Sequence, residues 1–503
     1  MQDEVRPLAL SPHAFLALFL ILAAIACVPL LLTELPPLLD YPNHLARMHL
    51  LAADPPALQP FYAIAWAPLP NLAMDGIVPR LARLVPLAWA GKIFLVLTFC
   101  LIAGGTAAIY RVLFRHWSLW PLLAFLFLYT RLLLWGFVGY LCGCGLALCC
   151  FAAWTAIARR HWALRMVLGC IFALVIYFAH LLAFGIYAVM LGCFEVGEAL
   201  RLKASPSAAA RALLIGGIPF LPALALMATN FAPGPIVFAN PLRKFDLLFS
   251  VFDDYSRPFD IACFALFIVA GAWAYCRGWV KVAPAMALPL LGLVILYLAL
   301  PTQLATASGA DRRIPMMIFL ALIGGSRWTT SVGLERRVLG AAVAMFAARI
   351  AVIAVVWHEG GELYASSLAG LDSIPAGSCV ASAYDDDAIA VQKAPLTHFP
   401  TMAVARRDAF VTTLFAYPQQ QPIALRPAAA ALANALGPGA LWHAYVTASA
   451  PLSADAQSAL AKCDFVAFAG SRPFELKTAA GLDPAFSSPR FKLYRILRPV
   501  SAP

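Results

Sequence analysis

"LLDYPNHLARMHLL", Leu38 to Leu51, follows the first long apolar stretch of the chain and gathers an acid, an amide, two histidines and an arginine. The 503-residue sequence is 62% hydrophobic and only 12% charged, with a mean hydropathy of +0.82. So large an apolar fraction exceeds what a water-soluble core could bury, which makes lipid the solvent and the chain a polytopic membrane protein. The polar stretch then marks the place where the first helix leaves the bilayer. Pro42 suits the first turn of a new helix, so Asp40 or Tyr41 is its N-cap, and "NHLARMHLL" continues as an amphipathic helix in the membrane interface.

Working outward, apolar stretches long enough to cross a bilayer lie at 14-33, 88-109, 118-134, 137-157, 164-179, 181-198, 211-230, 260-276, 282-300, 314-326 and 338-357, about eleven in all. The first is read as an uncleaved helix, because "MQDEVR" mixes acids with one base and no A-x-A site follows. A formal net charge of +11 would suggest nucleic acid in a soluble protein. Here the bases flank apolar spans, where they set orientation and meet anionic lipid or phosphate, and nucleic acid is excluded as a partner.

With the N-terminus in the cytoplasm, the basic stretches "YRVLFRHW", "ARRHWALR", "LRLKASPSAAAR", "CRGWVK" and "LERR" all fall inside. The outer face receives loops 33-87 and 230-259, "PTQLATASGADRRIP" and everything after Trp357. The expected architecture is an all-α polytopic bundle over 1-357 with an extracytoplasmic α/β domain over 358-503. That tail has strand-like runs "CVASAY", "DFVAFAG" and "FKLYRIL", a helical "RPAAAALANAL", and roughly 145 residues, enough for its own core. Cys379 and Cys463 fall in it, and whether they pair is left open; most other cysteines sit in apolar spans as small hydrophobes. No Walker or dinucleotide glycine motif and no internal repeat is evident.

This topology collects the unusual ionisable groups on one face: Asp40, His44, Arg47 and His49 in the first outer loop, Arg131, His180 at a turn between spans, Asp253 and Asp254, and Asp311, Arg312 and Arg313 in "SGADRRIP". Charged groups near membrane depth are costly and face a cavity or each other, so their gathering marks a candidate site. Asp40 is the candidate general base, and His44, Arg47, His180, Asp311, Arg312 and Arg313 the candidate substrate-binding groups, guanidinium forks being suited to phosphate. Each has a plainer reading. Asp40 caps a helix, Arg47 snorkels, Arg312 and Arg313 anchor a span at the headgroups, and His180 is satisfied at a turn. Asp253 and Asp254 read as exposed loop carboxylates, with a divalent cation as the alternative; the "YDDDA" run at 384-388 reads as a solvated loop.

An acid soon after span one, polar groups on the outer face and a C-terminal outer domain resemble the GT-C membrane glycosyltransferases. "LLDYPNHLARMHLL", "LWGFVGYLCGCGLALCCFAAW", "FAHLLAFGIYAVMLGCFEVGE" and "SGADRRIPMMIFLAL" are similar to segments of bacterial members of that superfamily, over roughly residues 14 to 420. The resemblance implies a bacterial inner-membrane enzyme that moves a sugar from a polyprenyl-phosphate carrier to an envelope lipid, polysaccharide or protein. It implies Asp40 as catalytic base and Arg312, Arg313 and Arg47 as neutralising the departing phosphate. The "WWDYG" pattern of the oligosaccharyltransferase branch is absent, and the first-loop acid is single where several relatives have a pair, leaving metal dependence open. The alternatives are a transporter or flippase of a lipid-linked sugar and a non-catalytic envelope scaffold. Proximity of Asp40 to Arg312 or Arg313 discriminates between them.

Overall fold

The computed structural model describes residues 9-158, 160-230, 233-305, 307-385 and 396-497. Asp386 and Asp387 of the acidic run lie outside the described residues. The helices in chain order are α1 (Pro12–Leu31), α2 (Tyr41–Ala53), α3 (Ala73–Leu81), α4 (Leu87–Phe114), α5 (Arg131–Leu134), α6 (Val138–Ala156), α7 (Trp162–Ala179), α8 (Leu181–Arg201), α9 (Pro206–Gly217), α10 (Leu221–Thr229), α11 (Arg243–Phe249), α12 (Arg257–Cys276), α13 (Ala287–Ala299), α14 (Ile314–Gly324) and α15 (Val332–Leu371).

Among the described residues, eight helical segments are long and apolar enough to cross a membrane: α1, α4, α6, α7, α8, α9 with α10, α12 and α15. The stretches expected at 118-134, 282-300 and 314-326 are shorter helices. In the first, Trp120–Phe127 is a 3₁₀ helix, which rises about 2 Å per residue and so covers more depth with fewer residues than an α-helix.

The segments alternate between two ends of the bundle. At one end Leu10 pairs with Trp117, Trp120 donates to Ser326, and strand Val280–Val282 pairs with Ser326–Trp328. At the other, Leu39 and Asp40 donate backbone N–H groups to Leu134 and Trp135, Lys92 Nζ reaches the Thr33 carbonyl at 2.5 Å, and Arg131 N–H meets Ser250. The bundle is densest where α4 crosses α6. A Cβ on Gly105 would lie 2.7 Å from that of Leu148, and one on Gly145 would lie 2.6 Å from that of Leu101. Small residues thus let the two backbones approach closely, the usual way helices pack where lipid supplies no hydrophobic drive.

Two ion pairs lock the interior. Arg165 on α7 meets Glu195 on α8 at 2.5 Å, with Trp154 Nε1 donating to the same carboxylate at 2.7 Å. Arg349 on α15 meets Asp260 at 2.7 Å and also donates to the carbonyls of Tyr129 and Phe252. The second Asp260 oxygen accepts from the backbone N–H groups of Tyr255 and Ser256, closing the turn before α12.

Helix α15 runs unbroken through residue 357, where the domain boundary was expected, and carries the chain into a C-terminal sheet that begins at Cys379. A Cβ on Gly370 would strike the Phe486 ring, so the last turn of the helix lies directly on this sheet. The sheet has five strands in the order Leu482–Ser487, Phe491–Ile496, Phe465–Ala469, Cys379–Tyr384, Phe410–Val411. Cys379–Tyr384 is parallel to both of its neighbours, and the remaining pairs are antiparallel. The three strand-like runs read from sequence form its centre. Leu482–Ser487, not anticipated, contains Asp483 and Pro484 and lies at an edge, where a missing N–H is tolerated. Cys379 and Cys463 are joined by a disulfide, with Cα atoms 4.6 Å apart.

The loop between α1 and α4 is bound to this domain rather than to lipid. Strand Tyr62–Ile64 pairs antiparallel with Ile423–Leu425. Asn43 donates to the Thr413 carbonyl and accepts from Phe415 N–H, at 3.0 and 2.7 Å, and His49 meets Asp408 at 2.7 Å. Helix α2, expected at the membrane interface, buries Tyr41 through Asn43, Leu45 through Met48, and Leu50 between bundle and domain.

Removing one partner of a buried pair strands the other charge. Asp260→Ala is expected to destabilise the protein by about 3–5 kcal/mol, read as a lowered Tm in detergent, whereas breaking the exposed Arg201–Glu198 pair is expected to leave Tm within error.

Candidate functional site

Asp40 occupies the N-cap position of α2, but its carboxylate makes no capping hydrogen bond. Its backbone is held instead. Gly136 lies against it at φ +84°, and a Cβ there would come within 2.8 Å of the Asp40 Cβ and backbone nitrogen. The segment that follows α5 therefore passes as close as a chain can, and only glycine accommodates both the conformation and the approach.

That short segment, "WGFVGY", organises the site. Trp135 lies under the Arg312 guanidinium at 4.8 Å. Gly136 gives its carbonyl to His44 Nε2 at 3.0 Å. Phe137 lies under Arg313 at 4.2 Å, and the Tyr140 hydroxyl donates to the Arg313 carbonyl. Asp40 and the "ADRR" segment thus both pack against this short stretch.

The remaining candidates divide into those facing the carboxylate and those engaged elsewhere. Arg47 has its fork on Asp75, at 2.7 and 3.2 Å, and donates to His44 Nδ1 at 3.3 Å. Donation by His44 Nε2–H to Gly136 and acceptance at Nδ1 fix one tautomer of that ring. His180 accepts from Leu182 N–H through Nδ1 at 3.1 Å, so its proton is on Nε2, 3.3 Å from a second donor, Arg313 NH1. Arg313 NH2 donates to the Ser308 carbonyl at 3.1 Å. Asp311 is turned away, accepting from Thr302 at 3.1 Å and lying 3.6 Å from Lys244. Arg131 is paired with Asp253 and lies 4.0 Å from Asp254.

Several donors at this end lack a partner. Arg313 Nε, Arg131 Nε and Trp135 Nε1 are buried without a hydrogen bond among the described residues. Arg312, half-buried, has neither hydrogen bond nor ion pair among them. Two donors facing each other, orphan N–H groups and an uncommitted guanidinium form an arrangement that an anion with several acceptor oxygens would satisfy. No group of three His, Cys, Asp or Glu side chains with metal-site geometry occurs among the described residues.

Sequence reasoning missed His398, whose Nε2 lies 3.5 Å from Asp40 Oδ1, and Gly136 and Asp75. Nothing in "PLTHFP" singles out His398; only the folding of the C-terminal domain over α2 brings it there. Asp40 and His398 are 17% and 12% exposed, which limits access to the carboxylate without sealing it.

Burial pushes the Asp40 carboxyl up to about 7, against the pull of Arg313 and Arg47. Burial likewise pushes His44 down to about 3, helped by Arg47, and His398 down to about 4. Folded Asp40 therefore holds a proton that the unfolded chain has lost, and its contribution to stability falls as pH rises from about 4 to about 7. The neutral histidines act in the opposite direction below pH 6.5. The difference between Asp40→Asn and wild type isolates the carboxyl: thermal unfolding in detergent should show the variant gaining on wild type across that window. A pH-independent difference would remove the raised pKa.

No protein-family model matches the chain, and no curated protein matches it in sequence. Solved structures do. ArnT from Cupriavidus metallidurans bound to undecaprenyl phosphate superposes with a TM-score of 0.54 at 10% identity, over 98% of this chain and 100% of that one. Its apo state gives 0.50 at 12% identity, over 96% and 98%. The arabinofuranosyltransferase AftD from mycobacteria gives 0.50 at 13% identity, over 98% of this chain and 41% of that one. With its bundle of membrane helices and its C-terminal sheet domain, this chain is a multi-pass membrane protein with a GT-C-like fold.

Proposed function

We propose that the chain is a membrane glycosyltransferase that takes a sugar from a polyprenyl-phosphate carrier. The observation that carries this reading is that Asp40 and Arg313, whose Nε is buried without a partner among the described residues, gather around the Trp135–Phe137 turn at one end of the bundle. It is supported by a fold shared with a protein solved bound to undecaprenyl phosphate. In the reaction, the acceptor hydroxyl attacks the anomeric carbon and its proton passes to Asp40. The bond from that carbon to the phosphate oxygen breaks, and the phosphate leaves on the lipid. Negative charge grows on the phosphate in the transition state, so the donors of Arg313, His180, Arg312 and Trp135 lower the barrier by being already in place. Arg47, engaged with Asp75, acts at one remove by holding His44.

The site lies on the outer face in this reading. The bases Arg111, Arg115, Arg160, Arg201, Lys203, Arg277, Lys281 and Arg327 belong to the opposite end of the bundle, which by the positive-inside rule is cytoplasmic. The disulfide in the C-terminal domain supports an oxidising compartment for the Asp40 end. The acceptor is then a cell-envelope lipid, polysaccharide or protein.

The test is transfer by purified protein from a panel of polyprenyl-phosphate sugars. Asp40→Asn should lower kcat by about 10²–10⁴, and Arg313→Ala by about 10²–10³. Transfer unaffected by Asp40→Asn removes the proposed base. Turnover of no donor, with vectorial movement of the lipid instead, replaces the enzyme by a flippase.

A further inference from the structure

The Asp40 site is not built by the membrane bundle alone. His398 stands immediately before the 3₁₀ turn Phe399–Thr401, whose Thr401 hydroxyl donates to the His398 carbonyl at 2.6 Å. Phe399 lies 5.2 Å from Tyr364 on α15 and 5.3 Å from Phe491 of the sheet. The imidazole is gripped edge-on by Phe415 at 4.9 Å and Tyr384 at 5.9 Å. Phe415 is in turn fixed by the Asn43 clasp on its backbone and faces His44 at 6.5 Å. The ring therefore has little freedom, and it points one nitrogen at Asp40 Oδ1, 3.5 Å away.

We propose that His398, delivered by the C-terminal domain, is a positioning residue for Asp40: a neutral imidazole donates Nε2–H to Oδ1 and holds the carboxylate in the orientation that receives the acceptor's proton. This rests on the glycosyltransferase reading given above. The neutral form suits the environment, since burial disfavours the imidazolium, and a neutral ring donating through Nε2 leaves Nδ1, which is buried without a partner among the described residues, as a bare lone pair rather than an orphan N–H. The charged and titratable groups acting on Asp40 are Arg47 from α2, Arg313 from the turn before α14, and His398 itself; His44 and Tyr384 neighbour His398. Of these His398 alone comes from the C-terminal domain and approaches the carboxylate directly. The Asn43 clasp and the pairing of Tyr62–Ile64 with Ile423–Leu425 thereby become part of how the carboxylate is set, because they seat the domain that brings the ring.

The experiment compares His398→Phe, which keeps an aromatic ring and removes the donor, with His398→Gln, which keeps a donor. Donation to the ionised carboxylate favours ionisation, so His398→Phe should move the Asp40 titration upward by about one pH unit, and His398→Gln should return it toward wild type. This is read in two ways. Without activity, it is the pH window over which Asp40→Asn gains stability, measured in the wild-type and His398→Phe backgrounds. With activity, it is the acid limb of kcat/KM for transfer, accompanied by a kcat about tenfold lower and a KM for the lipid donor within about twofold. Because His398 acts through Asp40, the double variant Asp40→Asn with His398→Phe should be no slower than Asp40→Asn alone. Where His398→Phe does not fold, His398→Leu carries the same comparison. An Asp40 titration that does not move, or additive losses in the double variant, overturns the inference. A wild type that transfers no sugar from any donor overturns the functional reading, and the stability readout still decides whether His398 sets the carboxyl.

Discussion

The close contact between Gly136 and Asp40 is the constraint on which the site depends. With φ at +84° and no side chain, Gly136 lets the turn between α5 and α6 close against the backbone at the start of α2. Three consecutive residues then serve four partners, Trp135 under Arg312, Gly136 on Asp40 and His44, and Phe137 under Arg313. The carboxylate and the two arginines come from segments some 270 positions apart, and this turn is the piece they share.

The bundle treats its buried charges in two different ways. Arg349 with Asp260, and Arg165 with Glu195, are matched and further satisfied by carbonyls, backbone N–H groups or an indole. The Arg349–Asp260 set is closed, as buried ions must be if they are to hold helices together, and the Arg165–Glu195 set leaves Arg165 Nε without a partner among the described residues. At the Asp40 end the accounting does not close among the described residues: the carboxylate makes no capping bond, Arg313 and His180 present donors to each other, and Arg312 rests on an indole face without a hydrogen bond. Open valence of this kind in a partly sheltered place is what separates a site from a structural pair.

The C-terminal domain is tied to this end by main-chain pairing, by the Asn43 clasp and by the continuous helix α15. Its attachment covers α2, which explains why that helix is buried on nearly all sides in spite of its polar sequence. An amphipathic pattern reports that a helix has one face unlike the other; it does not report whether the polar face meets water, headgroups or another domain.

By itself the sequence determined that lipid is the solvent, that apolar helices alternate through it, that polar chemistry gathers at one end, and that a sheet domain follows. These are consequences of composition, length and local periodicity, and they hold for any arrangement of neighbours. It also singled out Asp40, Arg312 and Arg313, because ionisable groups beside long apolar runs are conspicuous. The sequence did not fix the number of helices able to cross, since a 3₁₀ stretch and two short helices do not obey a length rule set for α-helices. It did not distinguish Arg47, committed to Asp75, from Arg313, whose Nε lacks a partner among the described residues, because both are arginines beside apolar runs. Nor did it reveal His398, which is one histidine among nine until the C-terminal domain folds onto α2. Those decisions belong to tertiary structure, because pairing, orphaning and approach are properties of the three-dimensional neighbourhood and leave no local signature in the chain.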